Sequence, residues 1–179
     1  MESKAQKIQM LARKNRLAAS TPSFFVALSK CTGIQIGPDD VIDPAAVDAL
    51  RDIFRTGYKS VGDSKAISFR RFFRPAEQAV VFQFTTCLSE QLSDDVCLFI
   101  TKLGSDDIAV RSNPKGLLAY AESVIALDGD SLSLLSADLK EGILVDHNIG
   151  DPEREYEIAV WGDRWPLAAM GCWPSPSIA

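Results

Sequence analysis

The sequence predicts an α+β fold: N-terminal helices followed by a mainly antiparallel sheet of about six to seven strands with one inserted helix. Two observations carry this. Apolar residues recur at helical spacing before residue 60 and alternate in strand fashion from residue 65. The strand-like runs are separated mostly by short turns, which favours antiparallel neighbours. The 179 residues fit one domain, 1–179, with a helical part at 1–60 and a sheet at 65–165 that carries a helix at 114–127. At 46% hydrophobic and 24% charged residues, the chain can build an ordinary core without a metal or disulfide staple.

Residues 4–19 have helix-forming composition, although Ile8, Met10, Leu11 and Leu17 do not share one stripe. Thr21-Pro22 looks like an N-cap followed by proline, opening a second short helix through Phe24, Phe25 and Leu28 to about Gly33. Asp43-Pro44 repeats that signal. Ala46, Val47, Leu50, Ile53, Phe54 and Tyr58 then fall on one side of a helix, with Asp48, Arg51, Asp52 and Arg55 on the other. From residue 65, Ile67, Phe69 and Phe73 alternate, and Ala79–Thr85 follows a Pro-containing turn, so the two runs read as a hairpin. Val96–Ile100 and Ile108–Arg111 extend this to a four-strand meander. Asn113-Pro114 starts the inserted helix, with Leu117, Leu118, Ala121, Val124 and Ile125 on its apolar face. Leu132–Leu135, Gly142–Asp146 and Tyr156–Trp161 complete the strands.

The net charge of −5 is unevenly distributed: residues 1–74 sum to +6 and residues 75–179 to −11. An acidic second half favours a cationic partner and repels phosphate; solubility is the plainer explanation of the same charge. The four cysteines, at 31, 87, 97 and 172, form no C-x-x-C. Cys87 and Cys97 read as small core residues in strand-like runs, which fits a reducing cytoplasm. The uncharged run Leu17–Ser29 contains Ser20, Thr21, Pro22 and Ser23 where a signal peptide needs an apolar stretch. Trp165–Ala179 is broken by Pro166, Pro174 and Pro176 and is too short to span a bilayer. The expectation is a cytoplasmic protein with no membrane association.

Phosphate-loop, dinucleotide, zinc-protease and serine-hydrolase motifs are all missing, so a binding protein with no catalytic residues, cofactor or metal is expected before an enzyme. Other chemistries rest on isolated residues. His147 beside Asp146 could serve as base to a thiol of Cys87 or Cys97, but no spacing supports the pairing. Asp128-x-Asp130 lacks the later ligands of a calcium loop and reads as a polar turn. Asp94-Asp95 and Asp106-Asp107 would act as paired carboxylates only if the strand ends converged on a pocket. The basic stretches Lys4–Arg16 and Arg70–Arg74, the latter among Phe69, Phe72 and Phe73, have the composition of a single-strand-binding surface. An isoelectric point near 4.9 argues against direct nucleic-acid binding.

The most informative segment is Asp151–Trp165. In a strand, Tyr156, Ile158 and Val160 face the core, while Glu155, Glu157, Ala159 and Trp161 face the other way. Carboxylates beside indoles make a plausible protein interface, with Glu153, Glu155, Glu157 and Asp163 steering approach and Trp161 and Trp165 as anchors. A half-buried edge strand with a solvated face explains the same alternation.

The Lys/Arg-rich first helix from Lys4 to Arg16, the helical Leu50-Arg-Asp-Ile-Phe-Arg55 and the late strand Tyr156–Gly162 with Trp165 beyond it carry a resemblance over most of the chain. In these the sequence resembles the bacterial immunity proteins of contact-dependent growth inhibition and related polymorphic toxin systems, the YxiF-like group among them. The resemblance implies a small cytoplasmic protein that binds the C-terminal toxin domain of its cognate effector, often a nuclease with a basic cleft, and blocks it. The basic N-terminal third departs from a uniformly acidic inhibitor. The reading from another class is a small ligand-binding or enzymatic domain with an apolar pocket lined by Phe69, Phe72 and Phe82.

Overall fold

The computed structural model of the chain describes residues 4–62, 67–93 and 95–173; Asp94 and the prolines at 174 and 176 lie outside them. The fold is α+β. Strands β1 (Ser68–Phe73), β2 (Cys97–Leu103), β3 (Asp106–Ser112), β4 (Ser131–Ser136), β5 (Gly142–His147) and β6 (Tyr156–Trp161) form one antiparallel sheet in the order β1-β6-β5-β4-β2-β3.

Helix α1 (Lys4–Thr32) is continuous, where the sequence suggested two helices broken at Thr21-Pro22. Pro22 lacks the N–H that would bond the Ala18 carbonyl, yet it is exposed. Burial of Leu17, Phe24 and Leu28, spaced seven and four residues apart, holds the helix together on either side of it. Helix α2 (Pro44–Lys59) forms as its pattern dictates, with the Asp43 carboxylate accepting the Ala45 N–H at 2.8 Å.

The expected strand Ala79–Thr85 is instead helix α3 (Gln78–Gln91), so neither the hairpin nor the four-strand meander exists. Val81, Phe84, Thr85 and Leu88 are the buried set, which is the i, i+3, i+4, i+7 spacing of a helix face. The β-branched run obscured that period. The preceding Pro75–Glu77 turn, with Glu77 accepting the Arg74 N–H, launches the helix. Strand β1 pairs with β6 in place of the missing neighbour. The inserted helix appears as two short abutting helices, α4 (Pro114–Ala119) and α5 (Ala121–Asp128), and α6 (Trp165–Gly171) follows β6.

Two cores sit on opposite faces of the sheet. Helices α1 and α3–α6 cover one, packing Leu28, Phe84, Leu117, Val124 and Trp165 onto Phe73, Phe99, Ile158 and Val160. Helix α2 alone covers the other, where Val47 and Phe54 meet Leu98, Ile100, Leu135 and Trp161. The outer edge of β3 is shielded by the segment before α2: Ile42 donates its N–H to the Ala109 carbonyl at 2.9 Å, and Val41 bridges Val110.

Cys87 of α3 is disulfide-bonded to Cys172 just beyond α6, which corrects its reading as a free core thiol in a strand. The cysteine pattern therefore does not by itself indicate a reducing compartment. Among the described residues no helix is long and apolar enough to cross a membrane.

Candidate functional site

Strand β6 is interior, flanked by β1 and β5, and not an edge strand. Its alternation holds: Tyr156, Ile158 and Val160 enter the helix-covered core, and Trp161 enters the core beneath α2. Burial of both indoles removes them from the set of surface anchors. Trp161 is 4% exposed, edge-on to Phe54 at 4.9 Å between ring centres, and wedged between Gly57 and Gly142. Trp165 is fully buried; its indole N–H donates to Asp95 Oδ2 at 3.1 Å and its backbone N–H to Glu141.

Glu157 is buried as well. Its Oε1 accepts the Tyr58 hydroxyl and the Arg70 Nε, each at 2.8 Å. Burial, and secondly the bond to Glu157, pushes the Tyr58 hydroxyl up to about 12. Glu155 is half-buried against His147 Nε2 at 3.1 Å, Glu153 is exposed and paired with Arg74 at 2.9 Å, and Asp163 is exposed in the turn before α6. The six residues singled out in Asp151–Trp165 thus do not form one surface. Glu153, Glu155 and Glu157 gather at one end of the sheet, and Trp161, Asp163 and Trp165 lie at the other.

The charge imbalance along the chain resolves into internal pairing. Arg16 bonds Asp106 at 2.7 Å, Arg51 pairs with Asp107, Arg70 with Glu157 and Arg74 with Glu153. Each cation comes from the basic first part and each carboxylate from the acidic second. Hydrogen bonding from Arg16 holds the Asp106 carboxyl below the usual carboxylate range. The arginines of the basic clusters are engaged likewise, Arg13 by Asp48 and Arg71 by stacking over Trp173 at 4.4 Å, while Lys4, Lys7 and Lys14 make no ion pair among the described residues.

Of the carboxylates that make no ion pair among the described residues, three converge. Asp128 ends α5, Asp130 lies in the following turn, and Asp146 is near the end of β5. With Asp107 they line a cleft of about 320 Å³ that also holds Ser131, Ser133 and Lys102 and is walled by Phe54, Arg51 and Arg55 of α2. The register explains the gathering. Ser131 faces Asp146 and Asp146 faces Glu157, so a row of three polar residues crosses β4, β5 and β6 on the α2 side of the sheet.

Burial, and then the nearby Glu157 and Asp130, raises the Asp146 pKa. Burial also raises that of Asp128, opposed by the hydroxyl of Thr101 and the N–H of Lys102 that its carboxylate accepts. Carboxylates that make no ion pair of their own in a cleft are suited to accept a guanidinium or ammonium group. Among the described residues, no group of three or more His, Cys, Asp or Glu is placed to hold a metal ion.

The other candidate chemistry does not assemble. His147 stacks on Tyr156 at 4.5 Å, Cys87 is cross-linked, and burial pushes the Cys97 thiol far up. Asp95 bonds Arg164 and Trp165 while Asp106 bonds Arg16, so the two acidic turns do not meet as a pair. Phe69, Phe72 and Phe82 line no common pocket: Phe69 stacks on Phe84, Phe82 meets Tyr156, and Phe72 lies on the opposite face beneath Arg70 and Arg154. Comparison of the chain with protein-family models, curated proteins and solved structures finds no match.

Proposed function

We propose that the protein is a non-enzymatic immunity protein that binds the C-terminal toxin domain of a cognate bacterial effector and blocks its substrate surface. One observation supports this above the rest: Asp128, Asp130 and Asp146, none of them in an ion pair among the described residues, share one cleft. A basic nuclease surface offers the arginines and lysines such a cleft accepts, and the field of the cleft would accelerate their encounter. Glu153 and Glu155 flank the same end of the sheet and extend the acidic rim, with Glu157 as its buried floor. Blocking a nuclease requires meeting it in the cytoplasm, where Cys87 and Cys172 would stand as a pair of thiols held side by side.

The test is co-expression with the C-terminal domain of the effector encoded beside its gene. Rescue of growth, and a complex that survives a moderate salt wash, are expected. Loss of both in the double variant Asp130→Lys, Asp146→Asn would tie the rescue to the cleft. Undiminished killing with the folded protein present would overturn the reading.

A further inference from the structure

A second cavity shares no residue with the acidic cleft. Helix α1 and the segment leading into α2 enclose a groove of about 540 Å³, floored by Leu17 and Ile108 and walled by Phe25, Val26, Ile36 and Val41. Its lining is apolar almost throughout, the character of a small-molecule site rather than of a solvated crevice. Val26 remains 55% exposed at its mouth, so the groove leaves apolar surface in water that an occupant would cover.

Two polar groups break the apolar lining, and both stand on α1. Lys14 and Thr21 are two helical turns apart on the face that also carries Ala18 and Phe25. The Lys14 ammonium is in no ion pair and the Thr21 hydroxyl in no side-chain hydrogen bond among the described residues. Their neighbours Arg13, Arg16, Ser20 and Ser23 are all partnered. From Lys14 to Phe25 the helix runs about 16 Å, the length of an extended medium-length hydrocarbon chain. No carboxylate lines the groove.

We propose that this groove binds a small amphiphile with one carboxylate head, a free fatty acid of medium chain length, the head at Lys14 and the tail running past Ala18 toward Phe25 and Val26. The tail covers apolar surface now exposed, and the head supplies the missing counter-charge for Lys14.

Isothermal titration of the full-length protein with dodecanoate, below its micelle concentration, tests this against dodecanol and dodecyltrimethylammonium as head-group controls. Saturable one-to-one binding of dodecanoate is expected, with the cationic amphiphile at least about tenfold weaker. Lys14→Glu should weaken dodecanoate about tenfold or more while leaving dodecanol unchanged. Ala18→Trp, at an exposed helical position, should fill the groove and abolish binding of both; Val26→Asp serves the same end should the tryptophan disturb folding. No binding of dodecanoate to the wild-type protein overturns the proposal. So does equal affinity for the three head groups, affinity unaffected by Lys14→Glu and Ala18→Trp, or a concentration-dependent dimer that buries the groove in place of any ligand.

Discussion

Asp146 of β5 and Glu157 of β6 stand directly opposite one another on the same face of the sheet, two carboxylates in cross-strand register. Only one of them is in an ion pair: Glu157 holds Tyr58 and Arg70, while Asp146 faces the cleft and makes no ion pair among the described residues. Like charges so placed oppose pairing of the strands. A sheet built for stability alone would carry a neutral residue at one of the two positions, which singles out Asp146 as the carboxylate turned toward the cleft.

The raised pKa of Asp146 fixes the sign of its effect on stability. A carboxylate that holds its proton more tightly in the folded state contributes stability below its unfolded pKa, and loses it as pH rises through the folded value. Asp146→Asn removes that loss. It should therefore be more stable than the wild-type protein at neutral pH, by a few tenths to about 1 kcal/mol, and the advantage should vanish in acid below the carboxylate range. Urea denaturation across that pH range measures it; a variant less stable at neutral pH would contradict the assignment.

Gly57 and Gly142 grip the indole of Trp161 from α2 and β5. A Cβ at Gly57 would sit 2.1 Å from Nε1, and one at Gly142 would sit 2.1 Å from Cζ2. In an exposed helix interior, glycine to alanine gains up to about 1 kcal/mol. Gly57→Ala should reverse that sign and cost about 1–3 kcal/mol, as overpacked positions do, and Gly142→Ala should behave alike. Displacement of the indole would appear as a shifted tryptophan emission maximum in both variants.

Glu141 is 3% exposed and latches the corner between β6 and α6, accepting the backbone N–H of Arg164 and Trp165 and the Arg164 Nε. Glu141→Ala strands two backbone donors and should cost about 3 kcal/mol. Glu141→Gln keeps an acceptor oxygen and should cost less. Equal stability of the two variants in thermal melts would show that the latch is not what holds the corner.

The Cys87–Cys172 bond closes a loop with a sequence separation of 85 residues and ties α6 to α3. Loss of such a cross-link should lower stability by about 4 kcal/mol. For a chain of this size that corresponds to a fall in Tm of about 8–16 °C. Comparing the oxidised protein with Cys87→Ser, Cys172→Ser, with and without dithiothreitol, separates the cross-link from the thiols: the reductant should lower the wild-type Tm and leave the double variant unmoved.

Much of the fold was legible because local pattern and tertiary burial agree. The stripe of α2 buries Val47 and Phe54 and half-buries Leu50, though Ala46 and Ile53 stay exposed, and Tyr156–Trp161 alternates between the two faces as expected, with both faces buried. Two elements were misread where local signals compete. Val80, Val81, Thr85 and Thr86 have strand propensity, yet the spacing of Val81, Phe84 and Leu88 prevails once α3 packs on the core; Thr21-Pro22 mimics a helix start inside a helix that continues.

The site was harder to see for a different reason. The charge asymmetry was visible, but its meaning depends on which carboxylates are already paired, and the pairs Arg16–Asp106 and Arg70–Glu157 join residues about 90 positions apart. Sequence order likewise could not place Asp146 opposite Glu157, nor bury Trp165, since both follow from register and from the course of the chain after β6.

The most direct test of the docking face is the association rate between this protein and its effector's toxin domain, measured against salt for the wild-type protein, Asp130→Lys and Glu153→Lys. A cleft that steers a basic partner predicts a rate that falls steeply with salt, about tenfold slower for Asp130→Lys at low salt with a flattened salt dependence, and a smaller change for Glu153→Lys. Rates and affinity identical across the three proteins would place the partner elsewhere and contradict the role assigned to the unpaired carboxylates.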